Sequence, residues 1–149
     1  MKYEFKYDPE QPVEITNDQA LEFLAPMVQF TELVRIKNCN IKILDIYANH
    51  FTSGLELVDC VIENKVLWTA GGHNLKPIVF KNCIFKEFVD FEDCYFDGDV
   101  IFNSVKFLKG TNLLGNKGTP VEVSFEKDLT ISEVEGNLKM DTFKTPGKG

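Results

Sequence analysis

Residues 80–107 read FKNCIFKEFVDFEDCYFDGDVIFNSVKF. Three copies of one unit lie inside it, FKNCIF, FEDCYF and FNSVKF, opening at Phe80, Phe91 and Phe102 and so recurring every 11 residues. Phe85, Phe96 and Phe107 close the copies. Cys83, Cys94 and Val105 sit between, preceded by Asn82, Asp93 and Ser104. The opening, middle and closing residues cannot share one face of a regular helix or strand. The step from Cys83 to Phe85 is strand-like, because side chains alternate with period two along a strand. A bend, a short strand and another bend, repeated at a fixed period, wind a chain into a stacked coil.

The unit recurs upstream at wider spacing. Ile36 opens IKNCNI and Leu57 opens LVDCVI, and Cys39, Cys60 and Cys83 are separated by 21 and 23 residues. Those steps approximate two 11-residue units, so one turn takes two units. Cys39, Cys60, Cys83 and Val105 then form an inward column, one residue per turn, with turns spaced about 4.8 Å apart.

These residues resemble the pentapeptide-repeat family. The resemblance rests on Cys39-Asn40-Ile41, Cys60-Val61-Ile62, Cys83-Ile84-Phe85, Cys94-Tyr95-Phe96 and Val105-Lys106-Phe107. Ile36, Ile41, Ile46 and Phe51 add a run at five-residue spacing. It covers Leu33 to about Leu114. That family sets a small apolar residue two positions before a central Leu or Phe, both pointing inward. The resemblance implies a right-handed, roughly square β-helix. It implies no single activity, because the family is functionally diverse.

The expected fold is therefore all-β: a short right-handed parallel β-helix of about four turns, with an N-terminal capping helix and C-terminal capping strands. The chain of 149 residues reads as one domain. Residues 1–32 form the N-terminal cap, 33–114 the solenoid, 115–144 the C-terminal cap and 145–149 a disordered tail. Tyr3, Phe5 and Tyr7 alternate as in a strand and the DPEQP turn ends it. Thr16 and Gln19 have the form of a capping box, and Leu21, Leu24 and Val28 follow at helical spacing. Pro26 limits that helix to Asn17–Ala25, where it is placed to cover the open end of the coil. Residues 68–77, WTAGGHNLKP, read as a loop pushed out of the wall. Gly136-Asn137 reads as the turn of a hairpin joining Val134 to Leu138 and Met140.

Thirteen Phe against one Trp fit stacked core ladders without a ligand. A formal charge of −7 argues against direct nucleic-acid binding, which needs a basic stripe. The shared column makes the four Cys reduced core thiols, small buried hydrophobes. No metal or cofactor is expected, since no CxxC or matching His spacing occurs. The opening MKYEFKYDPE is charged, so no secretory leader is expected. No apolar run reaches 18 residues, so no membrane span is expected. The reading is cytoplasmic.

Two sets of residues are site candidates. Trp68, His73 and Asn74 offer a stacking surface, a titratable group and an amide, with Gly71 and Gly72 beside them. Glu87, Asp90, Glu92, Asp93, Asp97 and Asp99 form an acidic run that could dock a basic partner or, at Asp97-Gly98-Asp99, hold Ca²⁺. No catalytic residues are assigned, because His50 and His73 lie in no nucleophile–base motif. Asn38, Asp59, Asn82 and Asp93, each before a Cys, read as corner residues. The leading reading is a non-catalytic protein-binding or scaffolding module whose partner is another protein, with an end-to-end dimer as one oligomeric form. The alternatives are a carbohydrate-active enzyme using outward carboxylates and, from the resemblance, an acidic DNA mimic acting on a topoisomerase-type enzyme.

Overall fold

In the computed structural model, which describes Lys2–Tyr3 and residues 13–144, parallel strands wind into a β-solenoid of about four regular turns. Val13, Val34, Leu55, Ile78, Val100 and Leu129 stack as neighbours on a first wall, so successive turns take 21, 21, 23, 22 and finally 29 residues. Among the described residues every strand pairing is parallel, and no two strands adjacent in sequence pair as a hairpin.

Each turn has four straight segments, shown by the third: Leu55–Val58, Val61–Ile62, Val66–Leu67 and the bridge residue Gly72. The corner between the first and second walls is a left-handed residue in every turn. Asn17, Asn38, Asp59, Asn82, Ser104 and Glu133 all have φ between 52 and 60°. Asn and Asp occupy most of these places because they tolerate this conformation best among non-glycine residues. Their side chains also join turns: Asn38 Nδ2 donates to Asn17 Oδ1 and Asn82 Nδ2 donates to Asp59 Oδ1, both at 2.8 Å.

The expected inward columns are present. Cys39, Cys60, Cys83 and Val105 are buried on the second wall, and all four Cys are free. Ile41, Ile62, Phe85 and Phe107 stack in register beside them. Phe85 and Phe107 lie 5.2 Å apart at an interplanar angle of 4°. The thiols back-bond to the preceding turn: Cys83 Sγ lies 3.3 Å from Leu57 O and Cys94 Sγ 2.6 Å from Trp68 O. Burial pushes the Cys39 and Cys94 thiols up, which keeps them protonated.

Three expectations are corrected. The capping helix over Asn17–Ala25 does not form, and the described residues contain no helix. Leu21–Leu24 is a strand, paired in parallel with Lys2–Tyr3 on one side and with Asn40–Asp45 on the other. Leu21, Phe23 and Ala25 are all buried at period two, which outweighs the helical spacing of Leu21, Leu24 and Val28. Asn17 takes the left-handed corner, and Asp18 Oδ1 accepts from Ala20 N at 3.0 Å, turning the chain into the strand. The first regular turn thus begins at Val13, not Leu33.

The hairpin at Gly136-Asn137 is the second. Leu129–Glu135 pairs in parallel with Val100–Phe107 and adds another rung. Beyond it, Thr111 N donates to Asn137 O and Leu114 N to Leu138 O, so residues 137–138 continue along the next wall. These segments extend the coil rather than covering it: Ile131 stacks on Phe102 in a core column, yet is 39% exposed.

The third is residues 68–77. They run within the wall, with Gly72 bridged to His50 on one side and to Tyr95 on the other. The expected strand residues Phe5 and Tyr7, the DPEQP turn and the 145–149 tail lie outside the described residues.

Candidate functional site

The trio Trp68, His73 and Asn74 is separated by its own coil. Trp68 points inward and is fully buried. On the fourth wall, Phe30 stacks on Phe51 (5.2 Å) and Phe96 on Phe125 (5.5 Å), but the turn between lacks an aromatic. Trp68, from the third wall, fills that gap with edge-on contacts of 5.7 Å to both Phe51 and Phe96. Gly71 makes room, since a Cβ there would lie 2.7 Å from Trp68 Cδ1. The two-residue lengthening of this turn therefore accommodates an indole in the core. Asn74 is also buried and closes the corner: its Nδ2 donates to Lys76 O (2.9 Å) and Asp99 O (3.1 Å). Only His73 reaches solvent.

His73 lies outside the fourth wall, in a left-handed conformation with φ of 48°. Its ring sits 4.4 Å from that of His50, one turn earlier, and stacks at 5.6 Å on Tyr95, one turn later. Its Nδ1 is 3.5 Å from Asp97 Oδ2. The Tyr95 hydroxyl donates to Glu126, which pushes its pKa up to about 12. Partial burial lowers the His50 pKa and His73 adds to that, while Asp97 opposes it.

The acidic run does not gather on one face. Asp90 lies on the third wall and Glu92 in the turn that follows it. Asp90 Oδ1 accepts from Glu92 N (3.0 Å) and Asn112 Nδ2 (2.9 Å), and Glu92 accepts from the Thr142 hydroxyl at 2.6 Å. Asp93 is a left-handed corner residue and Glu87 is exposed. Asp97 faces His73, while Asp99 Oδ1 accepts from Asp128 N at 3.3 Å. Among the described residues, no three His, Cys, Asp or Glu side chains converge to hold a metal ion. Asp97 and Asp99 thus face different neighbours rather than a shared cation position.

A surface not singled out in the sequence lies on the third wall. Ile43, Tyr47 and Leu67 are 37%, 42% and 47% exposed. With Leu44, Asp45 and Lys65 they line a groove of about 260 Å³. Leu67 is held by strand pairing to Asp45 on one side and to Asp90 on the other. Lys65 Nζ stands 5.7 Å above the Phe88 ring at the groove's edge. The sequence signal is a set of apolar doublets, Ile43-Leu44, Ile46-Tyr47 and Val66-Leu67. Alternation places Leu44, Ile46 and Val66 in the core and turns the other member of each doublet outward.

No family model matches the chain, and neither a curated protein nor a solved structure matches it. No helix among the described residues is long and apolar enough to cross a membrane.

Proposed function

We propose that this protein is a non-catalytic binding or scaffolding module that presents a stiff β-solenoid wall to another protein. The observation that carries the reading is the outward cluster Ile43, Tyr47 and Leu67 around its groove. Apolar and aromatic side chains grouped on a solvent face are the composition of interface centres. The wall beneath them is hydrogen-bonded turn to turn, so little ordering entropy is lost on docking. Asp45 and Lys65 at the rim suit a partner segment with an apolar anchor flanked by charge. The spread of the six acidic residues over several sides gives the carbohydrate-enzyme and DNA-mimic readings no focused site. Within this proposal the coil is right-handed, related to the pentapeptide-repeat proteins, and works in the cytoplasm.

The test places a photo-cross-linking amino acid at Leu67, and separately at Val79 on the outside of the first wall, in the source cell. One discrete partner captured from position 67, absent from position 79 and lost in Tyr47→Lys, supports the reading. Equal capture from both positions, or no discrete partner from position 67, overturns it.

A further inference from the structure

His50 and His73 are the only histidines in the chain, and the coil brings them together. They are 23 residues apart, the length of this one turn, so their backbones lie on adjacent rungs, with His50 paired to Gly72. Their rings face solvent on the same side of the fourth wall, 4.4 Å apart and tilted by 45°. We propose that this pair is a two-imidazole chelate for a borderline divalent transition metal such as Zn²⁺ or Ni²⁺, completed by water or by a partner's ligand.

Four features carry the assignment. Imidazole is the side chain suited to these ions. Two imidazoles on one tetrahedral Zn²⁺, each bonded at about 2.0–2.1 Å, have ring centres about 5 Å apart. The observed 4.4 Å is slightly short of that value, so chelation requires the partly exposed His50 ring to rotate while Tyr95 holds His73 in place. Asp97 Oδ2 stands 3.5 Å from His73 Nδ1, at the limit of hydrogen-bond reach. Tightened to a hydrogen bond on metal binding, this contact would favour the tautomer with Nε2 free for metal, as a carboxylate behind a metal-bound histidine does. Tyr95 stacks on His73 from the other side and limits its rotation, and Tyr95 is itself anchored to Glu126. Among the described residues no third protein ligand converges here, which leaves the outer positions to water or a partner's ligand.

The experiment titrates the full chain with ZnCl₂ and with NiCl₂ at pH 7.5, following the imidazole resonances by NMR, with MgCl₂ as the hard-cation control. The proposal expects both histidines to respond together at one metal per chain, with no response to Mg²⁺. His50→Ala and His73→Ala should each weaken binding at least tenfold, and Asp97→Asn should weaken it by about tenfold. Thermal unfolding of the three variants should match the parent, since all three side chains are partly exposed. Response of one ring alone, equal response to Mg²⁺, or undiminished Zn²⁺ binding by the His50→Ala/His73→Ala double variant would each overturn it. The last outcome would assign the metal to the buried thiols or to surface carboxylates.

Discussion

Truncating Phe85 to alanine tests the stacking of the coil in its core. Phe85 is buried, with Ile62 in register on one side and Phe107 at 5.2 Å on the other. Phe80 meets its edge at 5.8 Å. A buried Phe→Ala change costs about 3–5 kcal/mol, and the cost rises with the cavity that persists. Here the cavity cannot collapse easily. Ile84 N donates to Cys60 O at 3.0 Å and Lys86 N donates to Ile62 O at 2.9 Å, so backbone bonds hold the neighbouring rungs at their spacing. The loss therefore reaches at least the middle of the range, about 4 kcal/mol. With an m-value of about 2 kcal/mol/M in urea, the midpoint falls by about 2 M. Phe88→Ala is the control. Phe88 is only half-buried, with Lys65 over its ring, and its loss should cost about 1 kcal/mol or less. Equilibrium urea unfolding of both variants, read by circular dichroism, decides the matter. A Phe85→Ala shift no larger than that of Phe88→Ala would refute the register.

Three further outcomes follow from the same packing. Cys39, Cys60, Cys83 and Cys94 should all resist a thiol reagent in the native protein, and all four should react in denaturant; fast native labelling of any one places it outside the core. Gly71→Ala, which sets a methyl group 2.7 Å from Trp68 Cδ1, should cost about 1–3 kcal/mol and shift the emission of the single Trp to the red; unchanged emission and stability would put the indole elsewhere. Asn82, with φ of 52°, should accept glycine at little cost, while Asn82→Val should lose about 1–2 kcal/mol; equal stability of the two variants would contradict a left-handed corner there.

The solenoid was legible because its core repeats in register. The spacing of Cys39, Cys60 and Cys83 contains the turn length, and the residue before each Cys is the corner. The N-terminal end misled because ITNDQALEFLAPMV supports two periods at once. Leu21, Leu24 and Val28 suit a helix, and Leu21, Phe23 and Ala25 suit a strand. Local pattern cannot choose between them; the waiting edge of Asn40–Asp45 does. The Gly136-Asn137 turn misled for the same reason, since a turn dipeptide fixes a bend and not the direction of pairing. Trp68 looked like a ligand platform because the missing fourth-wall aromatic that it replaces becomes visible only once the turns are stacked. His50 and His73 lie far apart in sequence and become neighbours only through the turn length.

The claim on which everything else rests is that one turn takes two 11-residue units. Long-range backbone nuclear Overhauser contacts of Ile84 test it directly. The account predicts contacts with Val61 and with Lys106, the neighbours one turn before and one turn after. Contacts joining Ile84 instead to Tyr95, its counterpart in the next 11-residue unit, as a rung neighbour, or the Hα–Hα contacts of an antiparallel pair, would contradict it.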